Sequence, residues 1–226
     1  MITVAIFDLD KVLQEPAYPH NPDLLQDIAS VLGVSFGFLF AHYSTSFTTN
    51  EDEEKHHLSL CVNEEQREKV RGFWRKLYDN MAKATIIPGA RDLLLEAVSR
   101  GWEIFAWTKG SVEIQHGRLE SIGLSEFFPK ERIIYSPRKG TVGGFQEDLL
   151  PLLPEGQKIV IGDSFAQDIS PPLQVGGFTC IWIRWDQNPP ENADLDNPNL
   201  IVVESTQELA TKVKEGLLDD VQNTHQ

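Results

Sequence analysis

Short apolar runs occur at the start of this chain and throughout its second half. The first run, Ile2–Phe7, predicts a buried strand, and further runs predict strands at 102–108, 132–137, 158–164, 178–185 and 199–205. Apolar residues at helical spacing lie between these runs and predict helices at 90–101, at 111–122, near 145–153 and after residue 205. Because strands and helices alternate, we expect an α/β fold with a doubly wound, mostly parallel sheet and helices on both faces.

The pattern differs between the first two predicted strands. Helical spacing predicts helices from Pro22 to Gly33 and from Glu64 to about Ala84, and no convincing strand is found in residues 14–84. We therefore expect one domain of residues 1–13 and 85–226, with residues 14–84 inserted as a small helical cap. An insertion placed directly after the first strand would lie above the end of that strand, where a lid belongs.

Composition limits the classes of partner. The chain has 226 residues, 41% of them hydrophobic and 24% charged, which is typical of a globular protein. Its formal net charge of −14 argues against nucleic acid or an anionic membrane as a partner, but not against a phosphorylated small molecule at a metal site. Its two cysteines provide no disulfide framework or zinc pattern, and Asp8 and Asp10 interrupt any signal-like apolar run. We expect a cytoplasmic monomer or homodimer.

Polar and charged side chains follow four of the predicted strands. The segments are FDLD at 7–10, AWTKG at 106–110, SPRKG at 136–140 and IGDS at 161–164. Carboxyl ends of parallel strands meet at one edge of a sheet, so these groups are expected to converge. Asp8 and Asp10 would share one face of an extended strand. A DxD pair alone is more often a solvated acidic turn than a site, so the other strand ends decide its meaning.

Together these residues suit phosphoryl transfer through an aspartyl phosphate. One carboxylate of the pair Asp8 and Asp10 can act as nucleophile and the other as general acid and base. Further carboxylates can hold Mg²⁺, and a hydroxyl and a lysine can stabilise the phosphoryl oxygens. The chain offers these groups at Asp163, Asp168, Thr108 and Lys139.

The four segments, in this order and at these intervals, resemble the motifs of the haloacid dehalogenase-like (HAD) hydrolase superfamily. The resemblance covers the whole chain, and residues 14–84 resemble the C1-type helical cap of that family. It implies that Asp8 is the nucleophile and that Asp10 is the general acid and base. It further implies that Lys139 pairs with Asp8 and the phosphoryl group, which Thr108 and the Lys109 amide bind. The implied Mg²⁺ ligands are Asp8, Asp10 through its backbone carbonyl, and Asp163. Asp168 would bind through a metal-bound water or orient its neighbours.

The resemblance implies a Mg²⁺-dependent phosphatase acting on a small phosphorylated metabolite. A phosphomutase or phosphotransferase would use the same residues, and a non-catalytic binding protein could retain the fold. The dehalogenase and phosphonate-cleaving branches lack an equivalent of Asp10. Two departures leave alternatives open. Lys11 stands where the family most often has glycine, so it lies near the leaving group or points into solvent, and Arg138 competes with Lys139 as the charge-balancing residue.

Overall fold

A computed structural model describes residues 2–16, 22–43, 50–81, 83–191 and 193–219. The chain divides into two compact units, one comprising Met1–Pro16 with Lys83–Gln226 and the other Ala17–Ala82. No helix in these described ranges is long and apolar enough to cross a membrane.

The regular elements alternate between strands and helices in the second half of the chain. The strands are β1 (Thr3–Phe7), β2 (Gln14–Pro16), β3 (Ala84–Ile86), β4 (Glu103–Thr108), β5 (Ile133–Tyr135), β6 (Gln157–Gly162), β7 (Phe178–Ile183) and β8 (Leu200–Val203). The α-helices are α1 (Pro22–Leu32), α2 (Phe36–Tyr43), α3 (Asn50–Ser59), α4 (Glu64–Met81), α5 (Ala90–Ser99), α6 (Val112–Ser121), α7 (Ser170–Val175) and α8 (Thr206–Lys214).

Six strands of the larger unit form one parallel sheet in the order β5-β4-β1-β6-β7-β8. The fully buried strand β1 lies inside the sheet, where Phe7 is paired with Ala106 on one side and with Ile161 on the other. The chain therefore leaves β1 toward β4 and β5, and later returns to its other side at β6. This confirms the predicted doubly wound parallel sheet and creates a topological switch point at the end of β1, where open α/β sheets bind ligands.

Each face of the sheet is covered by its own apolar cluster. On one face, Ala5 and Phe7 share a cluster with Leu93 of α5, Leu119 of α6 and Leu209 of α8. On the other face, the strand residues pack with short helical turns and α7. Burial on both faces is the reason that these strands read as continuous apolar runs.

The helix expected near residues 145–153 is not an α-helix. The segment forms a π-helical turn at Gly144–Leu149, followed by a 3₁₀ turn at Leu150–Leu152. Pro151 removes a backbone donor, which limits regular helix here. A Cβ on Gly144 would lie 2.3 Å from the carbonyl oxygen of Arg138, so this turn begins at a close backbone approach.

The expectation that residues 14–84 contain no strand is wrong at both ends of that block. Gln14–Pro16 pairs antiparallel with Ala84–Ile86, in the two-stranded sheet β2-β3. A strand of three residues is too short for alternation of apolar and polar residues to be recognised in the sequence.

The smaller unit contains the helices α1 to α4. Its buried side chains include Ile28, Leu39, Val70 and Trp74. The predicted start of α4 is confirmed, because the Asn63 side chain accepts a hydrogen bond of 2.9 Å from the backbone amide of Gln66.

Candidate active site

The four polar strand ends lie at the carboxyl edge of the parallel sheet. The Asp8 amide donates a 2.8 Å hydrogen bond to the carbonyl of Ile161, which extends the pairing of β1 and β6 by one residue. Asp163 follows β6 directly, and Thr108 is the last residue of β4, the neighbour of β1 on its other side.

Lys139, in the turn after β5, contacts both Asp8 and Asp168. It is almost fully buried, its Nζ contacts Oδ1 of Asp8, and it lies 2.8 Å from Oδ1 of Asp168. The ammonium is also 5.4 Å from the centre of the Trp107 ring, a favourable position for a cation. Arg138, the competing candidate, is exposed and pairs with the acidic side chains that follow it. Lys139 is therefore the residue that balances charge at Asp8.

Three carboxylates meet beside this lysine. Oxygen atoms of Asp8, Asp163 and Asp168 lie within 4.8 Å of one another. Burial raises the pKa of Asp8, and the Asp168 carboxylate raises it further against the opposing effect of Lys139. Burial, followed by the charge of Asp168, raises the pKa of Asp163 to about 6. Burial lowers the pKa of Lys139, but the carboxylates of Asp8 and Asp168 outweigh that effect and raise it overall.

The donor set of this cluster fits a hard divalent cation. One contacting ammonium group can neutralise only one of three carboxylates, so the cluster carries surplus negative charge in a poorly solvated place. Mg²⁺ is held in proteins through one or two carboxylates together with water and phosphate oxygens. Asp8, Asp163 and Asp168 are thus suitable ligands for Mg²⁺.

Local backbone contacts position the two carboxylates that follow β6. Asp168 lies in a π-helical turn, Phe165–Ile169, and its Oδ2 accepts a 2.9 Å hydrogen bond from the Ser164 amide. A Cβ on Gly162 would lie 2.2 Å from Cβ of Asp168, so only glycine leaves room for this side chain. The indole nitrogen of Trp182 donates to the Asp163 carbonyl at 2.8 Å.

Asp10 lies outside the three-carboxylate cluster. Its Oδ1 accepts a 2.8 Å hydrogen bond from Nε2 of Gln14, and Nη1 of Arg118 lies 3.3 Å from both of its carboxylate oxygens. The expectation that Asp8 and Asp10 share a strand face therefore does not hold. Strand β1 ends at Phe7, and the Leu9 carbonyl accepts the amides of three residues that follow in a tight turn.

Thr108 is oriented as a hydrogen-bond donor. Its buried Oγ1 accepts from the Gly110 amide at 3.0 Å and from Nε2 of Gln115 at 3.2 Å. A hydroxyl accepts two hydrogen bonds and donates one, so its proton is available to a third group. Lys109 follows in an exposed turn. Thr108 can thus donate to an anion at the sheet edge.

Lys11 adopts a left-handed backbone conformation with φ of 61°. This region suits glycine, which gives a physical reason for glycine at the corresponding family position. The Trp185 indole donates to the Lys11 carbonyl at 2.8 Å and stabilises the turn. The side chain is exposed, and its charge lowers the pKa of Asp163.

Four residues that were not predicted from the sequence contact the candidate site residues: Gln14, Gln115, Arg118 and Trp182. Gln115 and Arg118 carry a recognisable signal: they are three residues apart on the helix that follows Thr108, so they share a helix face. Both are buried, and together they contact Thr108 and Asp10. Gln14 and Trp182 carry no comparable signal, because their partners are close only in the folded chain.

Solved structures with the same architecture support the resemblance. A haloacid dehalogenase-like family hydrolase from Xanthomonas campestris is similar over 100% of this chain and 95% of its own, with a TM-score of 0.71 and 19% identity. The chain has the haloacid dehalogenase-like fold. A 2-haloacid dehalogenase from Pseudomonas syringae matches with a TM-score of 0.62 and 16% identity, covering 95% of this chain and 99% of its own. No protein-family model and no curated protein matches the sequence.

Other solved structures with the HAD-like fold belong to proteins described with different activities. A putative HAD-hydrolase from Bacillus subtilis, YfnB, described as bound to magnesium, matches 94% of this chain and 98% of its own, with a TM-score of 0.56 and 18% identity. Further neighbours are described as β-phosphoglucomutases. Since one fold carries dehalogenases, hydrolases and mutases, the activity of this protein must be argued from its own side chains.

Proposed function

We propose that the protein is a Mg²⁺-dependent phosphatase that hydrolyses a small phosphomonoester through an aspartyl-phosphate intermediate. The observation that carries this proposal is the separation of Asp8 from Asp10. Asp8 shares a buried cluster with two carboxylates and Lys139, whereas Asp10 contacts Arg118 and Gln14. Two carboxylates in different environments are suited to different roles in one reaction.

In the first half of the proposed reaction, an oxygen of Asp8 attacks phosphorus, and the bond from phosphorus to the leaving oxygen breaks. Asp10 gives its proton to that oxygen, so the substrate leaves as an alcohol. Lys139 and the Thr108 hydroxyl stabilise charge on the remaining phosphoryl oxygens.

In the second half, a water molecule attacks the phosphorus of the aspartyl phosphate. Asp10, now a carboxylate, accepts a proton from that water. The bond between phosphorus and the Asp8 oxygen breaks, which releases inorganic phosphate and restores the Asp8 carboxylate. Asp10 thus acts first as acid and then as base.

Asp8, Asp163 and Asp168 would hold Mg²⁺, with the Asp10 backbone carbonyl as the further ligand implied by the resemblance. When bound, Mg²⁺ supplies charge neutralisation for the phosphoryl oxygens and for the attacking carboxylate. The surplus negative charge of the cluster supports this assignment, and so does the magnesium described for YfnB.

The surroundings of Asp10 favour phosphatase chemistry over dehalogenation. Displacement of a halide needs no proton donor for the leaving group, whereas displacement of an alkoxide does. Arg118 and Gln14 hold a second carboxylate in place, as proton transfer to a leaving alkoxide requires. A phosphomutase would use the same groups with a substrate hydroxyl in place of water.

We also propose a cellular compartment, a substrate class and an oligomeric state for the enzyme. Its two cysteines, Cys61 and Cys180, are buried and free. Free cysteines support a reducing compartment, the cytoplasm. The net charge of −14 disfavours nucleic acid or an anionic membrane as a partner, and it is compatible with a small phosphorylated metabolite bound at a metal site. A monomer or homodimer is proposed.

The test is phosphate release from 4-nitrophenyl phosphate and a panel of phosphorylated metabolites, with Mg²⁺ and with EDTA. We expect turnover that requires Mg²⁺ in the wild type and is absent in Asp8→Asn. Phosphoryl transfer to a second substrate hydroxyl, without phosphate release, would favour the mutase. Binding of Mg²⁺ without any phosphoryl transfer would favour a non-catalytic protein.

A further inference from the structure

The side chain of Arg118 lies within the larger unit and is directed toward Asp10. Only 9% of this side chain is exposed, and its Nη1 is 3.3 Å from Oδ1 and 3.3 Å from Oδ2 of Asp10. Removing an ion from water is unfavourable unless a partner of opposite charge compensates. Nearly equal distances to both oxygens restrain the carboxyl group as a whole.

A second hydrogen-bond donor, at the start of strand β2, restrains the Asp10 carboxyl group. Gln14 is fully buried, and its Nε2 lies 2.8 Å from Oδ1 of Asp10 and 2.6 Å from Oε1 of Gln115. Gln115 in turn donates to Thr108. One face of α6 therefore contacts Asp10 through Arg118 and Thr108 through Gln115.

This arrangement has a chemical consequence for the proton transfer. When Asp10 gives its proton to the leaving oxygen, its carboxyl group becomes a carboxylate. A guanidinium group 3.3 Å away stabilises that charge as it develops, because opposite charges at this distance attract each other. The same contact holds the carboxyl group in one orientation, and proton transfer depends strongly on such geometry.

We propose that Arg118 is a positioning residue for the acid–base step, which it supports by orienting Asp10 and by stabilising its carboxylate. This inference rests on the proposed phosphatase function. The same contacts would be present if Arg118 only joined α6 to the turn after β1 and had no role in catalysis. The positioning role and the structural role predict different effects of the leaving group, because an acid assists a poor leaving group far more than a good one.

The experiment compares kcat/KM for phenyl phosphate with kcat/KM for 4-nitrophenyl phosphate, two esters of similar shape whose leaving groups differ in basicity. The ratio of these two values within one preparation does not depend on the fraction of folded enzyme. It is measured for the wild type, Arg118→Met and Arg118→Lys. The control is Arg91→Met, which removes an exposed arginine that pairs with Glu126 at 2.9 Å.

For Arg118→Met we expect kcat/KM to fall about tenfold more with phenyl phosphate than with 4-nitrophenyl phosphate. This difference is smaller than the full effect of losing a general acid, because Asp10 itself is still present. Arg118→Lys should restore part of the lost ratio, and Arg91→Met should keep the wild-type ratio. Adding Arg118→Met to an Asp10→Asn background should not change the ratio further, because the group through which Arg118 acts is already lost.

Equal losses on both esters in Arg118→Met would overturn the positioning role and leave the phosphatase proposal intact. A further drop of the ratio in the Asp10→Asn background would also overturn it, since Arg118 would then act through another group. A wild-type enzyme inactive on every phosphomonoester would contradict the proposed function itself, and this inference with it.

Discussion

Asp8 and Asp10 are two residues apart, yet their surroundings are opposite in charge. Asp8 is 15% exposed and meets two further carboxylates around one lysine, whereas Asp10 is 41% exposed and meets a guanidinium and an amide. Around Asp8 there is more negative charge than contacting positive charge, which suits a bound cation. Around Asp10 the charge is balanced by Arg118. The two aspartates of one DxD segment therefore contact different sets of neighbours, although a single residue separates them.

The divergence has a simple cause in the backbone. Asp8 continues the parallel pairing through its amide, which donates to Ile161. The next residue, Leu9, has its carbonyl occupied by the amides of Leu13 and Gln14, at 2.9 and 3.1 Å. The strand therefore gives way to a turn between the two aspartates, and strand alternation no longer relates their side chains.

The largest expected effects come from neutralising Asp8 and Asp10 separately, which tests whether the two aspartates have different roles. Asp8→Asn should abolish turnover on all esters, because it removes the nucleophile. Asp10→Asn should lower kcat/KM for phenyl phosphate by about 10²- to 10⁴-fold and that for 4-nitrophenyl phosphate much less, since only the poorer leaving group needs the acid. Steady-state kinetics with both esters measure the effect. Equal losses on both esters in Asp10→Asn would show that Asp10 is not the acid.

Lys139 and Arg138 are adjacent in the sequence, so substituting each in turn tests which of the two cations acts on Asp8. Lys139→Met should reduce kcat by about 10²- to 10³-fold, because it removes the buried charge that contacts Asp8 and that we propose stabilises the phosphoryl oxygens. Arg138→Met should retain near wild-type activity, since Arg138 is exposed and pairs with Glu147 at 2.7 Å. Phosphate release assays, with circular dichroism to verify folding, provide the measurement. Similar losses in both variants would point to a general effect of charge at this turn.

The close contact of Gly162 with Asp168 offers a smaller perturbation of the same cluster. Gly162→Ala would place a Cβ 2.2 Å from Cβ of Asp168 and displace that side chain. We expect the Mg²⁺ concentration for half-maximal activity to rise about tenfold, as for other changes around metal ligands. Gly72→Ala is the control, because a Cβ there meets no atom within 4 Å and a helix interior favours alanine. An unchanged Mg²⁺ requirement in Gly162→Ala would separate Asp168 from metal binding.

The smallest expected effect concerns stability and pH. In EDTA, the Asp163 pKa of about 6 exceeds its ordinary value of 3.8, so the folded state binds more protons between these values. The contribution of Asp163 to stability is therefore lost as the pH rises from 3.8 to about 6. Above this range Asp163→Asn should be more stable than the metal-free wild type, by on the order of 1–3 kcal/mol.

Denaturant unfolding in EDTA across this pH range tests the prediction, and the advantage of Asp163→Asn should shrink as the pH falls. Mg²⁺ should stabilise the wild type more than the variant, because a ligand that binds only the folded state adds to its stability. A variant less stable than the wild type in EDTA above pH 6 would contradict the idea of surplus charge in the cluster.

Most of the fold was predictable because its signals are local. Continuous apolar runs identify the buried parallel strands, and the Asn63 cap marks the start of α4. The π-helical turn at Gly144–Leu149 and the short β2-β3 pair were not predictable, since they depend on a close approach to Arg138 and on pairing across the insertion.

The groups at the strand ends can be identified from the sequence alone, because the composition and order of these segments are properties of the chain. Which of these groups meet depends on the tertiary structure. It placed Lys139 rather than Arg138 at Asp8, and it directed Asp10 toward Arg118. The physical reason is that contacts such as the 2.8 Å approach of Lys139 to Asp168 join residues far apart in sequence or on separate elements. Such pairs form only when strand order and burial bring separate elements to one edge of the sheet.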